Sequence, residues 1–153
     1  MLNVISRNWD RDLLIHLNRG KLTLIMRNFK KTFHINAEPS DIYAALTNPY
    51  TIELWSGYPA VMPSKPGEEF NMWDGDICGR IIDLVPDKKV VQEWYFGDRE
   101  LESQVTITIN GNGGATAVTV EHTNIPVEDY ENIAEGWNEY YMGAIRRFYN
   151  PNF

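Results

Sequence analysis

The stretch from Val127 to about Tyr149 most constrains the fold, because it is the one long helix available to cover a broad sheet. Tyr130, Ile133, Trp137, Tyr141, Ala144, Ile145 and Phe148 recur along it at helical spacing and define one apolar face. Upstream lie short alternating runs separated by turn signals: Glu69 to Trp73, Ile77 to Leu84, Val90 to Phe96, Leu101 to Ile109 and Thr116 to His122. Asp74-Gly75, Pro86-Asp87 and the Gly111–Gly114 segment punctuate them as hairpin turns. Helices segregated from an antiparallel sheet make an α+β fold. A single helix is about 10–12 Å across, so a curved sheet wrapped around it leaves a gap to be filled by side chains, water or a ligand.

Before these hairpins, Phe33 and Ile35 alternate with Thr32, His34 and Asn36, as in a half-buried strand. Pro39-Ser40-Asp41 predicts a helix start with Ser40 as cap and Ile42, Ala45 and Leu46 on its buried face. Asn48-Pro49 breaks that helix; Tyr50 to Trp55 forms a second, stopped by Ser56-Gly57. Residues 1–25 read differently. Asp10 to Leu17 predicts two amphipathic turns ended by Gly20, and Met26 precedes the first convincing strand. The expected division is an N-terminal extension over 1–25, loosely attached or from a misassigned start, and a domain over 26–153; a basic arm is the other reading of the extension.

Charge follows this division. Residues 1–31 carry seven Lys/Arg against two Asp/Glu, whereas residues 32–153 carry seven against nineteen, a net charge of −12. Such an acidic body repels phosphate backbones, which argues against nucleic acid as a partner. No apolar run approaches the roughly 18–20 residues needed for membrane insertion as a helix. A single cysteine, Cys78, excludes an internal disulfide and fits a reducing cytoplasm, the expected location. It has no sequence-adjacent base to activate it as a nucleophile. Asp74-Gly75-Asp76 opens like a calcium loop, but Val85 stands where a bidentate Glu is required, and no clustered metal-ligand motif occurs. No metal or cofactor is implied.

An ordered set of motifs adds to this reading. Pro39 through Trp55, Pro66-Gly67-Glu68-Glu69-Phe70, Asp74-Gly75, Gly79, Leu84-Val85-Pro86, Val91-Gln92-Glu93-Trp94, Ala115-Thr116, His122-Thr123, Ile125-Pro126 and Gly136-Trp137 follow one another along residues 28–149. Together they resemble the helix-grip START-like (SRPBCC) superfamily, and most of all the domain homologous to the C-terminal half of the activator of the heat-shock-protein-90 ATPase. The resemblance implies a curved antiparallel sheet gripping a long C-terminal helix around a cavity. It also implies one of three roles found in the family: binding lipids or other apolar molecules, acting on polyketide-like compounds, or modulating a chaperone. It transfers no catalytic constellation.

Within such a fold the candidate ligand-binding residues are Trp55, Tyr58, Trp94, His122, Trp137 and Tyr141. Trp137 lies mid-helix, one turn from Ile133 and Tyr141, and faces the sheet. His122 shares strand parity with Val118 and Val120 and points inward. Of the two faces of the Val90 to Phe96 run, the one bearing Gln92, Trp94 and Phe96 is taken as inward, which leaves Glu93 outside. A dry, empty cavity of about 300 Å³ would cost on the order of 7 kcal/mol, comparable to a whole domain's stability. The expected function is binding a small apolar molecule or lipid as a non-catalytic carrier or sensor. The alternative is a chaperone-interacting module. The third is an enzyme on an apolar substrate, for which only His122 and a tyrosine are available as polar groups.

Overall fold

The structure, a computed structural model, describes residues 14–18, 21–97 and 102–151. Seven strands, all antiparallel to their neighbours, form one sheet in the order β1-β2-β7-β6-β5-β4-β3. They span Leu14–Asn18 (β1), Lys21–Ile35 (β2), Glu69–Met72 (β3), Ile77–Val85 (β4), Lys89–Trp94 (β5), Ser103–Asn112 (β6) and Ala115–Pro126 (β7). Helices α1 (Pro39–Thr47) and α2 (Pro49–Ser56) lie in the connection from β2 to β3. The α+β helix-grip fold expected from the motif order is the fold found.

Period-two burial fixes which face of the sheet is the core. Val105, Ile107 and Ile109 of β6 lie opposite His122, Val120 and Val118 of β7, and all six are buried. Gln92 and Trp94 are buried and Glu93 lies on the other side, paired with Arg80, as the parity argument required. At Gly79 of β4 a Cβ would overlap the Glu93 carbonyl, so only glycine allows β4 and β5 this approach.

Several local expectations are corrected. Leu14–Asn18 is not helical; it is extended and pairs antiparallel with β2, while residues 10–13 of the expected amphipathic turns, like all of 1–13, lie outside the described residues. β2 spans Lys21–Ile35. The cap of α1 is Glu38 and not Ser40: Pro39 takes the first helical position, and the Asp41 carboxylate accepts from the Glu38 N–H at 3.2 Å. β3 stops at Met72, where Trp73–Gly75 turn in a short 3₁₀ segment.

The final helix is not uniform. A 3₁₀ turn at Val127–Asp129 leads into α3 (Tyr130–Glu135), then a π-helical segment over Gly136–Tyr141, then α4 (Met142–Tyr149). In the wide segment the Met142 N–H reaches back five residues to the Trp137 carbonyl, and Tyr141 leaves helical backbone angles at φ −104, ψ −84. Gly143 makes this possible, because a Cβ there would collide with the Asn138 carbonyl. One residue is thus taken up without advancing the helix. Trp137 and Tyr141 remain in line, Met142 and Ile145 are buried, and Phe148, expected on the apolar face, is 39% exposed while Tyr149 packs inward.

Three contacts seat the helix on the sheet side. The Arg27 guanidinium lies 3.7 Å over the Tyr130 ring, Lys31 Nζ donates to Asn138 Oδ1 at 2.7 Å, and the Tyr149 hydroxyl donates to the Asp41 carbonyl at 3.0 Å. A Gly143→Ala variant is expected to lose about 2–4 kcal/mol of unfolding free energy in urea titrations. An unchanged midpoint would show that the wide turn does not depend on glycine at this position.

Candidate functional site

Between the sheet and the π-helical segment the interior is a cluster of aromatic rings. Trp94 and Trp137 stack with centroids 5.1 Å apart, and Trp137 and Tyr141 meet at 4.6 Å. Trp55 and Trp73 pack on Tyr141 at 5.2 and 5.8 Å, and edge to face on each other at 5.8 Å. The gap that a single helix leaves under a broad sheet is therefore closed here by side chains.

Two hydrogen-bonded chains hold these rings. The Trp137 indole Nε1–H donates to His122 Nδ1 at 3.1 Å. An indole nitrogen can only donate, so Nδ1 carries no proton and His122 is the neutral Nε2–H tautomer. Its Nε2–H then donates to Ser103 Oγ at 2.9 Å, and Ser103 Oγ–H donates to the Thr123 carbonyl at 2.9 Å. Full burial without a charged partner pushes the His122 pKa down to about 3. In the second chain Trp94 Nε1–H donates to Gln92 Oε1 at 2.9 Å. The Tyr141 hydroxyl reaches only Met72 Sδ, at 3.8 Å, and burial raises its pKa above the ordinary phenol value.

Outside this cluster, a cleft of about 630 Å³ opens between the helix and the β3–β4 turn. Its floor is buried: Trp94, Trp137 and Tyr141 are 5%, 1% and 2% exposed. Its rim is wet: Tyr58 and Tyr140 are 47% and 63% exposed. Ile77 and Ile133 add aliphatic walls, Gly136 leaves space at the helix, and Asp76 and Asn132 supply polar edges.

Of the six residues nominated from sequence, Tyr58, Trp94, Trp137 and Tyr141 line this cleft. Trp55 and His122 stand one layer behind. The Trp55 indole N–H donates to the Ala45 carbonyl at 2.9 Å and braces the two short helices, and His122 has both ring nitrogens engaged within the protein. Sequence reasoning did not nominate Trp73, because Trp73 and Asp74 both adopt positive φ (49° and 53°), which turns the chain out of the strand pattern. A bulky residue in that region is uncommon, and no periodicity signals it. Asp76 and Ile77 follow that same turn into the cleft wall. Among the described residues no cluster of His, Cys, Asp and Glu is suited to a metal ion, and no helix is long and apolar enough to cross a membrane.

Comparison with known proteins gives a consistent result. Residues 36–148 match the family model described as Activator of Hsp90 ATPase homolog 1-like protein. The human protein named Activator of 90 kDa heat shock protein ATPase homolog 1 is 28% identical over 144 residues, which cover 93% of this chain and 40% of the human protein. The chain thus spans about two fifths of that relative's length. Among solved structures, PFC0360w, an HSP90 activator from Plasmodium falciparum, is 25% identical with a TM-score of 0.71, covering 78% of this chain and 93% of that one. CalU16 from Micromonospora echinospora, at 18% identity and TM-score 0.70 over 92% of this chain and 85% of its own, shares the fold.

The neutral, buried His122 makes stability depend on pH. Its folded pKa lies below the unfolded value of about 6.5, so its contribution is present above that pH and is lost as pH falls toward about 3. Between pH 6 and 5, above the ordinary carboxylate range, unfolding free energy is expected to drop with a slope approaching about 1.4 kcal/mol per unit. A His122→Gln variant should flatten that slope. Equal slopes in the two proteins would contradict a neutral, buried imidazole at this position.

Proposed function

On the premise that the chain belongs to the Activator of Hsp90 ATPase homolog 1-like family, we propose that it is a non-catalytic binding module whose aromatic-floored cleft takes a small apolar molecule. The observation carrying this reading is the contrast within the cleft: three buried rings at the floor, exposed rings at the rim, and about 630 Å³ between them. That size lies in the range of about 300–1,000 Å³ typical of small-molecule sites. Because the cleft is open to water, it escapes the cost of a sealed dry cavity. Tyr58, Trp94, Trp137 and Tyr141 make the contact in this reading, and Trp55 and His122 support them from behind. The same geometry weighs against acid–base chemistry, since His122 is wholly buried with both nitrogens occupied.

The neutral probe N-phenyl-1-naphthylamine is expected to gain fluorescence on binding the protein. Gly136→Phe should abolish the gain while leaving the urea midpoint close to that of the parent, because nothing lies within 4 Å of a Cβ added at Gly136 and the larger side chain projects into the cleft. Native mass spectrometry of freshly purified protein, with a solvent extract beside it, identifies any resident molecule. Probe binding that persists undiminished in Gly136→Phe would remove this reading.

The similarity to the Plasmodium falciparum HSP90 activator and to the human homolog favours a second role, contact with an Hsp90-type chaperone. Tyr50 and Leu54, one turn apart on α2 and 80% and 71% exposed, are apolar groups available for such a contact. The expected outcome is faster ATP turnover by Hsp90 on addition of this protein, reduced by the Tyr50→Ala/Leu54→Ala double variant. Turnover unaffected at saturating protein would sink the second role.

A further inference from the structure

Three features of the cleft bear on the charge of its occupant. The first is its aromatic content. Trp73, Trp94, Trp137, Tyr58, Tyr140 and Tyr141 all border one space. Aromatic rings carry negative charge on their faces, and they attract cations there, indole most strongly.

The second is where the polar atoms of those rings go. The Trp94 and Trp137 N–H groups are spent on Gln92 and His122, and the Tyr141 hydroxyl is turned to Met72. These three donors at the floor are therefore withdrawn from the cleft, and an anion would find none of them. The floor rings stack on one another, so the ring surface open to an occupant is chiefly that of Tyr58 and Tyr140, with half-buried Trp73 beside them.

The third is charge. Asp76 is the only charged side chain among the residues lining the cleft, which include no Lys or Arg. Over residues 32–153 the chain carries nineteen Asp/Glu against seven Lys/Arg, so the long-range field also draws cations toward this body.

From these we infer that the cleft selects a small organic cation, a quaternary or protonated amine on an apolar body, with the aromatic rings receiving the apolar part and the cation and Asp76 adding a carboxylate at the edge. The inference rests on the cleft being the binding site, and it deepens that reading by assigning the class of molecule. Neutral molecules of the same shape would bind by burial alone.

The test uses an isosteric pair: phenyltrimethylammonium, and tert-butylbenzene, in which carbon replaces the charged nitrogen. Binding is followed through the indole N–H resonances in ¹⁵N–¹H spectra of the intact chain, with Gly136→Phe as the blocked control. The expected result is shifts at Trp73, Trp94 and Trp137 that vanish in the control, with the ammonium binding at least about fivefold tighter than its isostere. Asp76→Asn should narrow that ratio by weakening the ammonium alone. Equal or tighter binding of tert-butylbenzene overturns the cation preference while leaving an apolar cleft in place. Failure of both compounds to move the indole signals overturns the preference and the cleft reading together. Ammonium binding that survives in Gly136→Phe places the cation elsewhere and overturns the inference.

Discussion

The hydrogen bond from the Trp137 indole to His122 Nδ1 is the contact on which the interior depends. It joins the middle of the final helix to the inward face of β7. It also sets the proton on the other imidazole nitrogen, and so the direction of the bonds onward through Ser103 to the Thr123 carbonyl. An unmade bond in this chain would leave a buried polar atom unsatisfied, at a cost of about 1–3 kcal/mol. With Trp137 held this way, Trp94 stacks on one side and Tyr141 on the other, and the floor of the cleft follows. The interior of this chain is thus organised by hydrogen bonds among buried polar groups as well as by apolar burial.

How a helix-grip fold disposes of its gap is a question of volume. A sealed void beneath the helix would have to be dry and empty or filled, and emptiness at that size costs about as much as a domain can spare. This chain resolves the difficulty in two places. The space beneath the helix is closed by Trp55, Trp94, Trp137 and Tyr141, and the remaining volume is displaced outward, where water reaches it. Trp137 and Tyr141 share the face toward the sheet, and the π-helical segment, by absorbing one residue there, shifts the phase of the positions that follow.

Much of this was legible in the amino-acid order, and the failures have physical causes. Strand alternation put His122 on the inner face and divided the fifth strand into two sets, of which the one bearing Trp94, taken as inward, is the buried one, with Glu93 on the other side. The helix face was legible as far as Ile145. Beyond it, Phe148 and Tyr149 exchange roles, since a wide turn shifts the phase and nothing in a periodic pattern announces where one residue will be absorbed. Trp73 was hidden for a related reason: positive φ at Trp73 and Asp74 redirects a side chain that alternation assigns to a strand. Ser40 satisfied the usual preference for a helix cap, yet the Glu38–Asp41 pair and Pro39 set the cap two residues earlier. His122 was read as facing the interior without its hydrogen-bond partners, which come from Ser103 and Trp137, remote in the chain and visible only once the sheet and helix are assembled.

The exposed positions of Tyr58 and Tyr140 at the rim bear on time as well as space. A solute entering the cleft first meets side chains that already stand in water, and meets the nearly covered rings of Trp94 and Trp137 only once the rim tyrosines turn aside. Entry is then governed by diffusion and side-chain rotation, on nanosecond scales, rather than by the microsecond-to-millisecond opening of a lid. For an occupant of the kind proposed, entry by side-chain motion would let occupancy follow the surrounding concentration closely. A surface of this kind reports on its environment more readily than it stores cargo.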